Sequence, residues 1–110
     1  MKVTDIVGKL GLTVFSGHEG LGHDIRGGYT SDLLSDVPGH AAEGSVRVTV
    51  QVHRNVIAIA SLRDIAAVII TCGETPGEDT IAQSNADGVP LPGTTMPTFE
   101  LTGKLYNLIS

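Results

Sequence analysis

The residues best suited to chemistry cluster at one corner, Gln51-Val52-His53-Arg54-Asn55, between an alternating run and an apolar run. Gln51, His53 and Asn55 together supply amide donors, carbonyl acceptors and an imidazole. Such a set can read an amide, a purine edge or a phosphate oxygen. In open parallel sheets ligands bind beyond the carboxyl ends of strands, and this corner follows a strand. The same residues have plainer uses: Asn55 can cap the next helix, while Gln51 and His53 satisfy backbone groups. A second group, Tyr29-Thr30-Ser31-Asp32, adds hydroxyls and a carboxylate at the start of a helix, whose first N–H groups could meet a phosphate. Asp32 and Asp36 would repel that anion. The tentative ligand-binding set is therefore Gln51, His53, Asn55, Tyr29, Thr30, Ser31 and Asp32. An alternative is a small enzyme acting on a phosphorylated metabolite, with His53 as general base and Asp32 orienting it, which requires a separation of about 3 Å between them or to a shared water.

Other candidates carry less. The run Gly17 to Gly28 could wrap a phosphate or simply turn. His18, Glu19, His23 and Asp24 are metal-ligand types, but their spacing matches no helical His pair and no zinc signature. His40 reads as a loop residue. Cys72 follows an apolar strand with no His or Asp in a recognisable relation to it, so it reads as an inert buried thiol. No Gly-x-x-x-x-Gly-Lys-Ser/Thr loop is present to cradle triphosphate and Mg²⁺. No catalytic residue, metal or cofactor is assigned.

These side chains need a scaffold. Thr4 can cap a short first helix carrying Ile6, Val7 and Leu10 and stopped by Gly11. Leu12 to Phe15 reads as a strand, and an extended piece around Ile25 leads into Gly27-Gly28. After Tyr29, Thr30 or Ser31 can cap a helix with Leu33, Leu34 and Val37 on one face, ended by Pro38-Gly39. From Val46 to His53 the residues alternate, Val46, Val48, Val50 and Val52 against Arg47, Thr49, Gln51 and His53, which is a strand with one apolar face. That polar face would lie near a sheet edge, line a pocket or meet a second subunit. Val56 to Ala67 is a helix by its length and alanine content, with Asn55 as cap. Val68 to Thr71 is a strand apolar enough to be covered on both faces. Thr75-Pro76-Gly77-Glu78 has the form of a capping box, and Gly88 ends the helix it opens. Val89 to Leu91 is a strand, and Thr95 with Pro97 opens a last helix with Leu101, Leu105, Leu108 and Ile109 on one face. The order β-α-β-α-β-α from residue 46 implies a parallel sheet with helices on its faces.

Size and charge set bounds. A chain of 110 residues reads as a single domain, 1–110, able to fold without disulfide or metal help. With no Trp, two Phe and two Tyr, its core must come from aliphatic side chains. Seven basic against twelve acidic residues, the basic ones scattered, argue against nucleic acid or an anionic membrane as partner. One cysteine, no signal-peptide pattern and no long apolar run point to the cytoplasm.

Two segments carry a family likeness. Gly28-Tyr29-Thr30-Ser31-Asp32-Leu33-Leu34-Ser35-Asp36-Val37 and Val48-Thr49-Val50-Gln51-Val52-His53-Arg54-Asn55-Val56-Ile57-Ala58-Ile59-Ala60 resemble the DRTGG domain family, as do Ile69-Ile70-Thr71 and Thr98-Phe99-Glu100-Leu101. The name-giving motif is matched only loosely, by Asp24-Ile25-Arg26-Gly27-Gly28. The resemblance implies a three-layer α/β/α domain with a mainly parallel sheet, like the N-terminal domain of HPr kinase/phosphorylase. It also implies a regulatory, dimer-forming role. A kinase activity does not follow, because that chemistry belongs to a different domain. The expected function is a non-catalytic regulatory or ligand-sensing domain, a homodimer binding a small, nucleotide-like ligand or a partner enzyme.

Overall fold

Two sets of aliphatic side chains pointing to opposite faces of one sheet set the architecture. The computed structural model describes residues 1–32 and 42–109. In order, the elements are α1 (Val3–Leu10), β1 (Thr13–Ser16), a 3-10 turn at His18–Gly20, β2 (Gly27–Thr30), β3 (Ser45–Thr49), α2 (Arg54–Leu62), β4 (Ala67–Ile70), α3 (Glu78–Asp87), β5 (Leu91–Gly93) and α4 (Thr98–Ile109). The five strands lie in the order β1-β5-β4-β3-β2. β2, β3, β4 and β5 are parallel; β1 is antiparallel to β5 and carries a bulge between Val14 and Ser16. One face packs Val46, Val48, Ala67 and Ile69 against Val3 and Ile6 of α1 and Leu101 and Leu105 of α4. The other packs Val68, Ile70 and Leu91 against Val56, Ile57 and Ala60 of α2, and α3 lies beside α2. This is the expected three-layer, mainly parallel arrangement. Among the described residues no helix is long and apolar enough to cross a membrane.

Several local expectations are corrected. α1 starts at Val3, with Lys2 rather than Thr4 as N-cap. Its first amides find acceptors elsewhere: Val3 N–H donates to the His23 carbonyl and Thr4 N–H to that of Leu21, while the Asp5 carboxylate accepts from Lys2 N–H. The segment at 21–23 thus does the capping that Thr4 was expected to do. Gly27 and Gly28 are strand residues of β2, not a turn. The expected box at Thr75 is not formed, because α3 begins at Glu78 with Gly77 as N-cap. Burial of Thr80 and Ser84 fixes the phase of that helix, and the Thr80 hydroxyl bonds the Val52 carbonyl at 2.7 Å. Gly88 ends α3 in the left-handed conformation, as read. The helix expected over Leu33, Leu34 and Val37, its end at Pro38-Gly39, and Asp36 and His40 lie outside the described residues.

The alternating strand is shorter than its pattern. β3 ends at Thr49, and every residue from Ser45 to Thr49 is buried. Arg47 is 0% exposed in the second strand from the edge, beside Tyr29 of β2 and Val68 of β4. Its Nε and Nη2 donate to the Ser31 carbonyl at 3.3 and 3.1 Å. Nη1 has no hydrogen-bond partner among the described residues. Burial pulls the Arg47 pKa down, opposed by nearby Asp32 and Tyr29. The polar half of the strand is thus internal: it bonds the end of the neighbouring strand instead of meeting solvent.

Candidate functional site

The carboxyl ends of β2, β3, β4 and β5 form one rim, and α2, α3 and α4 begin there, so three helix amino termini meet at one end of the sheet. Their unpaired N–H groups and dipoles favour a negatively charged or hydrogen-bond-accepting ligand. The corner after β3 is tied down by its backbone. Asp32 Oδ1 accepts from the Thr49 hydroxyl at 2.8 Å and from Val50 N–H at 3.0 Å. Gln51 N–H donates to the Thr49 hydroxyl at 3.0 Å, and the Val52 carbonyl is held by Thr80. With the backbone so fixed, the side chains of Gln51, His53 and Asn55 stand exposed.

Capping of α2 falls to His53, not Asn55. His53 is extended (φ −73°, ψ 143°), and its Nδ1 accepts from Asn55 N–H at 3.3 Å. The physical reason is register: the helix starts two residues earlier than read, so the Asn55 amide is one of the orphan donors instead of the cap. An accepting Nδ1 carries no proton, so the ring N–H is on Nε2, facing away from the helix. Asn55 keeps its side-chain amide for other use. Asp32 Oδ1 is engaged with Thr49 and Val50 and His53 Nδ1 with its own helix; these are the contacts each makes, in place of one to the other.

The remaining sequence-derived residues divide. Asp32 joins the corner, and Ser31 offers its carbonyl to Arg47. Thr30 turns to the opposite face, where its hydroxyl lies 2.9 Å from that of Thr102 on α4. Tyr29 is half-buried and packs at the margin of the α2 side of the core.

Sequence reasoning missed the other half of the rim. Thr71, at the end of β4, places its hydroxyl 2.6 Å from that of Thr98 at the start of α4. Cys72 follows with φ +62° and is exposed, so the expectation of an inert buried thiol is overturned. The strand ends at Ile70, and a left-handed residue turns the side chain outward. Cys72 Sγ lies 3.7 Å from Thr98 Oγ1. Hydrogen bonding from the Thr98 hydroxyl, then from the Thr98 backbone, then from Thr71, holds the Cys72 thiol below the ordinary thiol range. The available signal was slight: Cys72-Gly73 directly after an apolar strand, and a threonine after Pro97.

Among the described residues no group of three or more His, Cys, Asp and Glu side chains is placed to hold a metal ion. His23 directs Nδ1 to the Ala66 carbonyl at 3.3 Å, and Asp24 pairs with Lys2 at 3.1 Å, which lowers the Asp24 pKa through the Lys2 hydrogen bond and charge. A concavity of about 500 Å³ lies at the amino ends of the strands, lined by Arg26, Glu43, Asp64 and Asp87 among others. Another, of about 360 Å³, runs between β2 and α4. Neither includes Gln51, His53 or Asn55. The corner is thus a displayed set of side chains, and any ligand there rests on the rim.

The fold is that of a small α/β/α domain with a mainly parallel five-stranded sheet. More particularly it is DRTGG-like. It matches a solved structure of the CBS and DRTGG domains of the regulatory region of Clostridium perfringens pyrophosphatase, complexed with its activator diadenosine tetraphosphate, with a TM-score of 0.75. The match covers 93% of this chain and 44% of that one at 13% sequence identity, so the likeness is one of fold. No family model and no curated protein matches the sequence.

Proposed function

We propose that this chain is a non-catalytic, ligand-sensing regulatory domain whose recognition surface is the carboxyl end of its parallel strands. The observation that carries this reading is the corner after β3. Its backbone is fixed by Asp32, Thr49 and Thr80, while Gln51, His53 and Asn55 stand exposed beside three helix amino termini. A preorganised backbone with free polar side chains suits recognition of a small polar ligand. Asp32 and the Ser31 carbonyl adjoin this corner, while Tyr29 packs toward α2 and Thr30 toward α4. Adenine nucleotides fit, since helix amino termini suit phosphate and the two amides suit a purine edge. A regulatory region that shares the fold takes a dinucleotide activator, which supports the same class of ligand here.

In this reading the domain works as a homodimer, and ligand binding shifts the population between two packings that a partner enzyme distinguishes. The cytoplasm suits a chain whose single cysteine is exposed and unpaired. Isothermal titration against mono- and dinucleotides tests the reading. Binding is expected, weakened about tenfold or more by Gln51→Ala or Asn55→Ala with the melting temperature unchanged, as befits exposed side chains. A flat response to every nucleotide would sink it.

A further inference from the structure

The two edges of the sheet are not alike. β1 is bulged between Val14 and Ser16, a device that discourages further strand pairing. β2, Gly27–Thr30, has no Lys, no Pro and no bulge, and its strand partner among the described residues is β3. By alternation from Ser31, whose N–H bonds the Val48 carbonyl in register with the Thr30–Val48 pair, the Gly28 and Thr30 amides point away from β3. Beside this edge runs the groove shared with α4, lined by Gly28, Thr102, Leu105, Tyr106 and Ile109. On the outer side of α4, Phe99 is 92% and Tyr106 67% exposed, two turns apart. Gly103 lies between them with open space around its Cα, which leaves a notch between two aromatic rings. At about 100° per residue, Glu100 and Lys104 project from the flank of α4 turned away from β2.

We propose that this surface is the contact between two copies of the chain, formed about a twofold axis that sets β2 antiparallel to its symmetry mate. The inference rests on the pairing proposed above and names where it occurs. Only an extended segment satisfies a strand edge, and a second β2 offers complementary groups in the antiparallel sense a twofold requires. The patch is uncharged, so two copies each carrying a net charge of −5 meet there without like charges face to face. The same helix supplies rings and notch, so Phe99 of one copy can seat near Gly103 of the other. Because the far edge is bulged, strand addition stops at two copies and does not run on into a fibre. The patch is small. A four-residue edge is about 13 Å long and a 12-residue helix about 18 Å. That spans a few hundred Å², short of the roughly 800 Å² per partner of a standard interface, so the dimer dissociates in the micromolar range or above.

Sedimentation velocity over a wide concentration range tests this, with Phe99→Asp and Gly103→Glu as probes. Both positions are exposed, and unchanged far-ultraviolet circular dichroism confirms that the variants fold. Each variant is expected to raise the dissociation constant at least about tenfold, while Glu100→Gln, on the other flank, leaves it unchanged. In the wild type, hydrogen exchange at the Gly28 and Thr30 amides should slow as concentration rises. A chain that stays monomeric at every concentration overturns both the pairing and this surface. A dimer indifferent to Phe99→Asp and Gly103→Glu keeps the pairing and overturns the surface.

Discussion

Asp32→Ala should destabilise the fold by about 2 kcal/mol, whereas Asp32→Asn should cost less than about 1 kcal/mol. Asp32 Oδ1 is the acceptor for the Thr49 hydroxyl and for Val50 N–H, at 2.8 and 3.0 Å. Thr49 is fully buried, so its hydroxyl has no water to turn to when the carboxylate is removed. A hydrogen bond to a charged group contributes about 1.5–3 kcal/mol net, and an orphaned buried donor costs about 1–3 kcal/mol. Water can replace the acceptor of Val50 N–H, which lies nearer the surface, so that second bond adds little. Asparagine keeps an oxygen where Oδ1 stands and loses only the charge. Equilibrium urea unfolding followed by circular dichroism measures the difference. The alanine variant should also melt roughly 8 °C lower, at about 4 °C per kcal/mol for a domain of this size. An Asp32→Ala stability within about 0.5 kcal/mol of wild type would refute the view that this carboxylate fastens the end of β2 to the corner after β3. An asparagine variant as unstable as the alanine variant would show that the charge acts, through Arg47, instead of the acceptor.

Arg47→Met should leave stability within about 1 kcal/mol of wild type, because losing the bonds to Ser31 offsets relief from a buried cation with an unpartnered Nη1. Arg47→Ala should cost about 3 kcal/mol by opening a cavity, and urea unfolding of the pair would separate these outcomes. Cys72 should alkylate with iodoacetamide at lower pH than a free thiol, since a lowered pKa puts thiolate there sooner; Thr98→Val should move the rate profile back up. Gly17→Ala should cost more than about 4 kcal/mol, because Gly17 has φ +73° and a Cβ would overlap the Val89 carbonyl. Gly88→Ala, at φ +66° but with open space around it, should cost about 1 kcal/mol, and thermal melts compare the two.

How far the sequence carried depends on which force decided each feature. The aliphatic run at Val68–Ile70 and the stripe Leu101, Leu105 report burial directly, and both lie where read. Gly88 was legible because a left-handed helix end favours glycine. Capping failed as a guide wherever tertiary contacts supplied the same hydrogen bonds. Thr4 lost its role to the carbonyls at 21 and 23, Thr75 lost its role to the burial of Thr80, and Asn55 gave way to His53. Strict alternation at Arg47 and Thr49 suggested a solvated face. In fact the end of β2 folds over to accept hydrogen bonds from both side chains, and no local pattern reveals an acceptor 16 or 17 residues away. The same distance hid Thr98 from Cys72, which lies 26 residues before it. The corner residues were readable as a group because they are contiguous; the opposite half of the rim is assembled from two separate segments, the end of β4 and the start of α4.

The antiparallel pairing of β1 with β5 bears on how the chain is made. Ser16 meets Leu91, so the first strand waits for a partner synthesised 75 residues later. At about 5–20 residues per second on a ribosome, that delay is roughly 4–15 s. Throughout it the core positions Leu12 and Ile6 cannot be sealed, because the helix that covers them, α4, comes later still. A nascent or prematurely released chain ending before residue 91 therefore carries an unmatched strand and an open aliphatic face, the features that chaperones and proteases recognise.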